Sequence, residues 1–440
     1  MREPHKYFVP GEQTVHQSVG YEGYEVKEVT SSYNPRDIEA GVQDYWTKEN
    51  TYARVRALRE GGKAFFFVDG PPYTTGHIHL GTAWNKIIKD TILRYHRMRG
   101  ADVIERAGYD MHGLPIEVKV EHQLGFTSKK DIEEYGIAAF VEQCRTFAVT
   151  HMGIMSDQFR RLGVWLDFDN PYQTIKEDYI ESAWWTLQRA DERGLLERGH
   201  RVVNWCPRCE TAIADSEVEY WDETDPSIFV KFPLSGRENE YLVIWTTTPW
   251  TLPANVAVAV NPAFTYARVR AKKGDAEEIL WVADELIEPV LKMGRYQDYT
   301  VLERVSGSDL VGTEYTSPLA GCVPHQAEIR HRVVAADYVA LENTGLVHIA
   351  PGHGWDDYLI GIREGLEAFC PVDSGGCFTP AAGAFADMYV RDANEIVIDA
   401  LGGYLLARRT ITHRYGHCWR CKTPIIYRAT AQWFLKATAI

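Results

Sequence analysis

Two Cys-x-x-Cys pairs, Cys206/Cys209 and Cys418/Cys421, constrain this chain more than any other feature. A pair with that spacing turns two thiolates toward one point, and two pairs supply the four sulfurs of the tetrahedral site that Zn2+ takes. The flanks agree: Asn204-Trp205 precedes the first pair and Thr211-x-Ile213 follows it, while Trp419 lies inside the second and Thr423-x-Ile425 follows. Redox dithiols are the competing reading; two similar knuckles in a chain read as cytosolic favour structural zinc. His417 adjoins the second pair, yet four thiolates already suffice, and Cys144, Cys322, Cys370 and Cys377 show no such pairing. If both pairs hold one ion, the chain departs at Cys209 and returns to the same point at Cys418. Everything between must then form a self-contained insertion.

The residues between are strand-like. Phe229-Val230, Tyr241 to Trp245, Val256 to Val260 and Ile279 to Val282 are rich in β-branched and aromatic side chains, which predicts a largely β lobe with a few helices. Two words in it carry chemistry. Thr246-Thr247-Thr248, followed by Pro249 to Asn255, places three hydroxyls at the end of a strand, and Gly345 to Asp357 supplies imidazole and carboxylate groups from a glycine-rich bend. Each alone is equally well a turn with satisfied polar groups.

Ahead of the first knuckle, Phe65 to Gly100 reads as a buried strand, a corner and a helix. The run Phe65-Phe66-Phe67-Val68 suits a strand buried on both faces. Asp69-Gly70-Pro71-Pro72 ends it, because proline has no N–H to donate and glycine allows close backbone approach. Trp84, Ile87, Ile88, Ile92, Tyr95 and Met98 then recur at helical spacing up to Gly100. Strand, small-residue turn and helix form the phosphate-binding plan of a doubly wound sheet, with His77 and His79 where the free N–H groups of the helix point. A plain corner with exposed histidines is the alternative. Val103-Ile104-Glu105 reads as the next strand, emptying into Asp110 and His112; Asp110 either stands over the ligand crevice or caps a helix starting near Leu114. Pro35 to Tyr52, Lys129 to Gly163 and Lys176 to Gly194 read as helices, with Phe140, Cys144, Phe147, Met152, Met155 and Phe159 on a core face.

The words GPPYTTGHIHLG, from Gly70 to Gly81, and GYDMHGLPIE, from Gly108 to Glu117, resemble the signature of class I aminoacyl-tRNA synthetases, most closely the isoleucine-specific members of archaeal type. The resemblance implies an α/β fold: an incomplete Rossmann-type catalytic domain with a largely β editing domain inserted between two zinc-knuckle halves. It implies ATP, with Mg2+, held by Gly70, Pro71, Pro72, His79 and Gly81, and catalysis of adenylate formation by His79 and Thr82. Thr82 stands where the family's His-x-Gly-His element has its second histidine; a hydroxyl donates a hydrogen bond but carries no positive charge. Asp110 is expected to bind the α-ammonium of isoleucine, and Gly70 and Pro71 to line its aliphatic pocket.

The two words of the insertion jointly resemble the editing domain shared by the isoleucine, valine and leucine enzymes. By that likeness Asp357 anchors the α-ammonium of a wrong amino acid esterified to tRNA, His348 and Thr248 bound its side chain, and Thr246, Thr247 and Asn255 orient substrate or water. Such a second site is needed because one methylene is worth only about 1–3 kcal/mol in a binding pocket, a limit for which the isoleucine enzymes are the usual illustration.

The expected order is thus an extension over 1–34, the first half of the catalytic domain over 35–199, a knuckle and connector over 200–221, the editing domain over 222–410, the second knuckle over 411–430, and a return to the catalytic domain over 431–440. The Lys-Met-Ser-Lys-Ser loop and the anticodon-binding helices of the family are not found, so the expectation is an N-terminal part of an isoleucine–tRNA ligase that does not charge tRNA(Ile) by itself. A stand-alone hydrolase of misacylated tRNA, a zinc-stabilised tRNA-binding module and a valine–tRNA ligase are the alternatives. The charged start without an apolar core and the lack of any membrane-length apolar run point to a cytoplasmic protein without a membrane partner, expected as a monomer. A net charge of −14 argues against a surface coated for indiscriminate nucleic-acid binding and leaves room for a local basic groove.

Overall fold

The computed structural model describes residues 33–439, so the extension expected over 1–34 lies, apart from Tyr33 and Asn34, outside the described residues. These residues form two compact units. The first holds the described residues up to Phe67 together with Ala83–Glu105 and Phe159–Trp165. Its helix α1 (Pro35–Lys48) begins where the Asn34 side chain accepts the Arg36 N–H and Pro35 takes the first turn. The helix expected to run on to Tyr52 breaks at Asn50, whose φ of 49° is left-handed, and α2 (Thr51–Arg59) follows. Next come β1 (Ala64–Val68), α3 (Leu80–Met98) and β2 (Asp102–Arg106), with β1 and β2 paired.

One expectation fails here, and the helix that follows buries its polar stripe. The β1 run is not buried on both faces: Phe66 and Val68 are 70% and 67% exposed. Helix α3 has the expected period but buries the other stripe, Lys86, Asp90, Leu93 and Arg97, while Trp84, Ile87, Ile88, Ile92, Tyr95 and Met98 are exposed. The buried polar groups are matched by partners distant in sequence. Asp90 accepts from Arg94 at 2.6 Å and from the Trp165 N–H at 2.9 Å, Arg97 pairs with the buried Glu105, and the Lys86 ammonium sits 5.1 Å over the Phe159 ring. Apolar periodicity finds a helix without telling which face its charged residues can satisfy.

The second unit holds Val68–Thr82, Arg106–Gln158 and the chain from Leu166 onward. It opens with β3 (Gly108–Tyr109), α4 (Leu114–Leu124), α5 (Lys129–Tyr135), α6 (Ile137–Arg161), β4 (Tyr172–Gln173) and α7 (Glu177–Glu192). The stretch read as one helix from Lys129 is interrupted at Gly136, whose φ is 100°. Strands β3 and β4 pair in parallel, Gly108 against Tyr172; a Cβ at Gly108 would lie 2.2 Å from the Tyr172 ring, so the pairing requires glycine there. Among the described residues the strands around the corner form two short pieces, β1–β2 and the parallel β3–β4, in place of the continuous parallel sheet expected.

From there the unit is mostly β: β5 (Leu196–Cys206), β6 (Thr211–Ala212), β7 (Val218–Pro233), β8 (Glu240–Thr246), β9 (Ala257–Val260), β10 (Thr265–Lys273), β11 (Ala276–Ala283), β12 (Asp298–Ser306), β13 (Arg332–Ala335), β14 (Leu346–Ile349), β15 (Leu405–Cys418) and β16 (Ile426–Leu435). Three sheets organise them, in the orders β12-β10-β11-β8-β7-β15, β13-β9-β14 and β16-β5-β6. The apolar runs are explained by a core on each side. Ile228, Val230, Phe232, Leu242 and Ile244 face one cluster, while Phe229 and Val243 face another with Val269, Leu280 and Val282. Strands β7 and β15 form a long antiparallel ribbon, paired from Val218 and Cys418 at the knuckles to Val230 and Leu405.

Among the described residues five hydrogen bonds stitch the lobe between the knuckles to the β5–β16 pair, one of them from Arg428 Nε–H to the Val372 carbonyl at 3.0 Å. Trp205 Nε1 donates to the Ser374 carbonyl at 2.7 Å, Tyr358 O–H to that of His200 at 2.6 Å, Ala429 N–H to that of Gly352 at 2.8 Å, and His353 Nδ1 to that of Tyr427 at 2.9 Å. Among the described residues no helix is long and apolar enough to cross a membrane.

Candidate functional site

The knuckles converge. The sulfurs of Cys206, Cys209, Cys418 and Cys421 all lie within 4.8 Å of one another, and all four cysteines are free. Residues after each pair adopt the same left-handed turn, Glu210 at φ 50° and Lys422 at φ 65°. The Cys206 to Cys421 sulfur separation of 3.4 Å is far beyond a disulfide bond and close to the spacing of about 3.8 Å between thiolates sharing a tetrahedral zinc. Val118, Ile213 and Ile425 wrap the sulfurs in apolar contact. Hydrogen bonding among the four sulfurs splits their pKa values, lowering Cys418 and Cys421 and raising Cys206 and Cys209. His417 is directed elsewhere: Nε2 meets Glu223 at 2.9 Å and Nδ1 the Tyr415 carbonyl at 3.1 Å. The four sulfurs are therefore a donor set that can hold a soft divalent ion.

The corner after β1 is built by main-chain pairing with the Asp110 segment. Asp110 N–H donates to the Pro72 carbonyl at 2.9 Å and Thr74 N–H to the Asp110 carbonyl at 3.1 Å, which bridges Tyr73 to Asp110. Buried Asp69 accepts the Gly108 N–H at 3.1 Å, and the Tyr172 phenol donates to the Asp69 carbonyl. These contacts bring Pro72 and Asp110 together from positions nearly forty residues apart in sequence. The Asp110 carboxylate is half-buried and receives the Thr174 hydroxyl at 3.4 Å; burial holds its pKa above the ordinary value, opposed by His112, Thr174 and Tyr73. It does not cap α4, whose N-cap is Gly113 at φ 81°.

His79 caps α3. Its Nδ1 accepts the Thr82 N–H at 3.3 Å, which leaves the ring proton on Nε2. Gly81 makes room: a Cβ there would lie 3.1 Å from the imidazole. Gln158 fixes the preceding turn, its oxygen accepting the Ile78 N–H at 2.9 Å and its nitrogen meeting His77 Nδ1 at 2.8 Å. Gly70 and Gly81 are exposed, Pro71, Pro72 and Thr82 partly so. This corner offers an outward imidazole N–H and a carboxylate to a ligand. Sequence reasoning missed Gln158 and Thr174, which carry no motif.

In the lobe, hydrogen bonds join the threonine word to β14. Thr248 N–H donates to Thr246 Oγ1 at 3.1 Å, the two hydroxyls lie 3.2 Å apart, and the Thr251 hydroxyl donates to the Thr248 carbonyl at 2.8 Å. Thr251 Oγ1 then accepts His348 Nε2–H at 3.0 Å, leaving the buried Nδ1 as an unpaired acceptor. Burial holds His348 down to about 4, with His353 adding to the effect, so the ring is neutral. Asp357 lies beside the end of β14, where Oδ2 accepts the Ala350 N–H at 2.9 Å and Oδ1 the Tyr338 phenol at 3.0 Å. Its pKa is raised by burial, against those two hydrogen bonds. Thr247 is half-buried after β8. Asn255 is turned inward: fully buried, it donates to the Ala257 carbonyl at 2.9 Å and accepts the Tyr315 phenol at 2.7 Å, so its side chain serves the core.

An apolar cleft of about 530 Å³ lies among α4, α6 and α7, lined by Met111, His112, Ile116, Phe140, Tyr179 and Trp184 among others. Phe140, buried as expected, and the half-buried Cys144 both line the cleft, and Trp184, which also lines it, is exposed. The helical period alone did not distinguish a cleft wall from a core face.

A family model described as class I tRNA synthetases (I, L, M and V) matches residues 41–440. The chain is 88% identical over 415 residues to an isoleucine–tRNA ligase of Methanoculleus marisnigri, covering 94% of this chain and 39% of that protein. Over 410 residues it is 68% identical to the isoleucine–tRNA ligase of Methanospirillum hungatei, covering 93% and 39%. The chain therefore spans about two fifths of the length of these relatives. On that match, the chain belongs to the class I tRNA synthetases of the isoleucine, leucine, methionine and valine group.

Proposed function

We propose that this chain carries the amino-acid-activating corner and the hydrolytic proofreading site of an isoleucine–tRNA ligase. The observation that carries the reading is the pairing of the Pro72-Tyr73 corner with Asp110, which sets a half-buried carboxylate beside the turn leading to the His79 cap. In this reading Asp110 holds the α-ammonium of isoleucine while the carboxylate of isoleucine attacks the α-phosphate of ATP, whose Mg2+ accompanies it. Pyrophosphate leaves, and His79 Nε2–H stabilises the charge that develops on phosphate oxygen. Gly70 and Pro71 line the side-chain pocket, Pro72 and Gly81 border the nucleotide, and Thr82 adds a hydroxyl. Cys206, Cys209, Cys418 and Cys421 hold one structural Zn2+ at the root of the ribbon.

In the lobe, Asp357 holds the ammonium of a wrongly esterified valine while His348 and Thr248 bound the pocket. Thr246 and Thr247 orient the water that cleaves the ester of Val-tRNA(Ile). The boundaries 200–221, 222–410 and 411–430 follow as knuckle, editing domain and knuckle.

The polypeptide extended to the length of its relatives is expected to exchange pyrophosphate into ATP with isoleucine, and less well with valine or leucine. Asp110→Asn should raise the isoleucine KM at least roughly 30-fold, the equivalent of about 2 kcal/mol for an unpaired charge. Faster exchange with valine would replace isoleucine as the cognate substrate. Deacylation by the chain without exchange in the extended protein would leave a hydrolase of misacylated tRNA.

A further inference from the structure

The hydrolytic reading gives Asp357 one task, to receive an ammonium, and a carboxylate does this well only if its plane is fixed and its remaining lone pairs face the ligand. Each carboxylate oxygen has about two acceptor directions. Oδ2 uses one on the Ala350 N–H at 2.9 Å, a donor held by the backbone at the end of β14. Oδ1 uses one on the phenol of Tyr338, at 3.0 Å, from the segment between β13 and β14. One direction per oxygen is left, the arrangement a bidentate ammonium contact requires. Gly354 keeps the approach to Oδ2 open, because a Cβ at that position would lie 2.9 Å from it. Asp357 also sits in the first turn of the helix Trp355–Glu364, where the free N–H groups favour the ionised form.

We propose that Tyr338 is a positioning residue of the hydrolytic site, its phenol fixing the Asp357 carboxylate and keeping it ionised for the substrate ammonium. Although Tyr338 is 43% exposed, desolvation of its hydroxyl and the neighbouring carboxylate raise its pKa, so it remains a donor throughout the working range. The charged neighbours that also act on Asp357 are Asp356, which opposes ionisation, and His353, which favours it. Both are left unchanged by substitution of Tyr338. The inference rests on the proofreading reading of this loop and deepens it.

The test uses the whole 440-residue chain with Tyr338→Phe, which keeps the ring and removes the donor. Loss of a hydrogen bond to the charged form raises the carboxyl pKa, so the acid limb of the deacylation profile should move to higher pH. On that limb kcat/KM for Val-tRNA(Ile) should fall roughly tenfold, recovering as pH rises. An equal loss at every pH, or none, would overturn the proposal. If the unmodified chain does not deacylate Val-tRNA(Ile), the proofreading reading fails by itself, and the Asp357 titration decides the Tyr338 contact independently. With carboxyl-carbon labelling, and the signal assigned by Asp357→Asn, the Asp357 resonance should titrate at higher pH in Tyr338→Phe. Coincident curves would sink the inference.

Discussion

His348 makes the lobe sensitive to acid in a way that can be calculated. The ring is fully buried and donates Nε2–H to Thr251, and burial holds its pKa at about 4 against an ordinary value of 6.5. The unfolded chain therefore binds a proton below pH 6.5 that the folded chain refuses until about pH 4. Stability is complete above 6.5, falls as pH drops through that window, and reaches a floor once both states are protonated. At about 1.4 kcal/mol per pH unit, the gap corresponds to a total of about 3 kcal/mol, of which about 2 kcal/mol is gone by pH 5. Urea unfolding of the chain and of His348→Gln, at pH 7.5 and pH 5, measures this directly. Other groups titrate in both proteins, so the difference between their pH dependences isolates the imidazole. The variant should lose about 2 kcal/mol less than the parent between the two pH values. Equal losses would refute the calculation, since a ring with no pKa difference between states contributes no slope.

Purified from zinc-containing medium, the chain should carry one metal ion, measured by plasma mass spectrometry, and Cys421→Ser should lower that ratio and the unfolding temperature together; a Cys421→Ser protein with full metal content would remove Cys421 from the site. Gly81→Ala should push the His79 imidazole, 3.1 Å from the added carbon, off its cap. In the extended protein this should slow pyrophosphate exchange by up to about a hundredfold, with the isoleucine KM little changed. Asn255→Ala leaves the Tyr315 phenol unpaired in the core and should cost about 1–3 kcal/mol in unfolding, with deacylation by the folded fraction near that of the parent.

The readable parts of the sequence were those whose physics is local. A Cys-x-x-Cys turn, a Pro-Pro corner and an apolar run such as Val256 to Val260 each specify their geometry within a few residues, and the structure turns the chain at both knuckles, ends β1 at Val68 ahead of the prolines and runs β9 from Ala257 to Val260. What escaped depended on partners far along the chain. The buried stripe of α3 is set by Glu105, Phe159 and the Trp165 N–H; Asn255 points inward because Tyr315 meets it; Thr174 and Tyr338 touch their aspartates without belonging to any motif. Hydrophobic period shows that a helix has a preferred face, while the identity of that face follows from which charges find counterparts.

The stitching between the lobe and the β5–β16 pair limits how the lobe can move. Its bonds include Ala429 to Gly352 and Tyr427 to His353, a few residues from Asp357 on the same loop, so a hinge rotation about the ribbon would tear that loop from its support. Breaking all five bonds costs about 2.5–7.5 kcal/mol net, which leaves a swung-out orientation sparsely populated. Under the proposed function, traffic between the two candidate centres then falls to the flexible end of the substrate, which must travel to a stationary lobe.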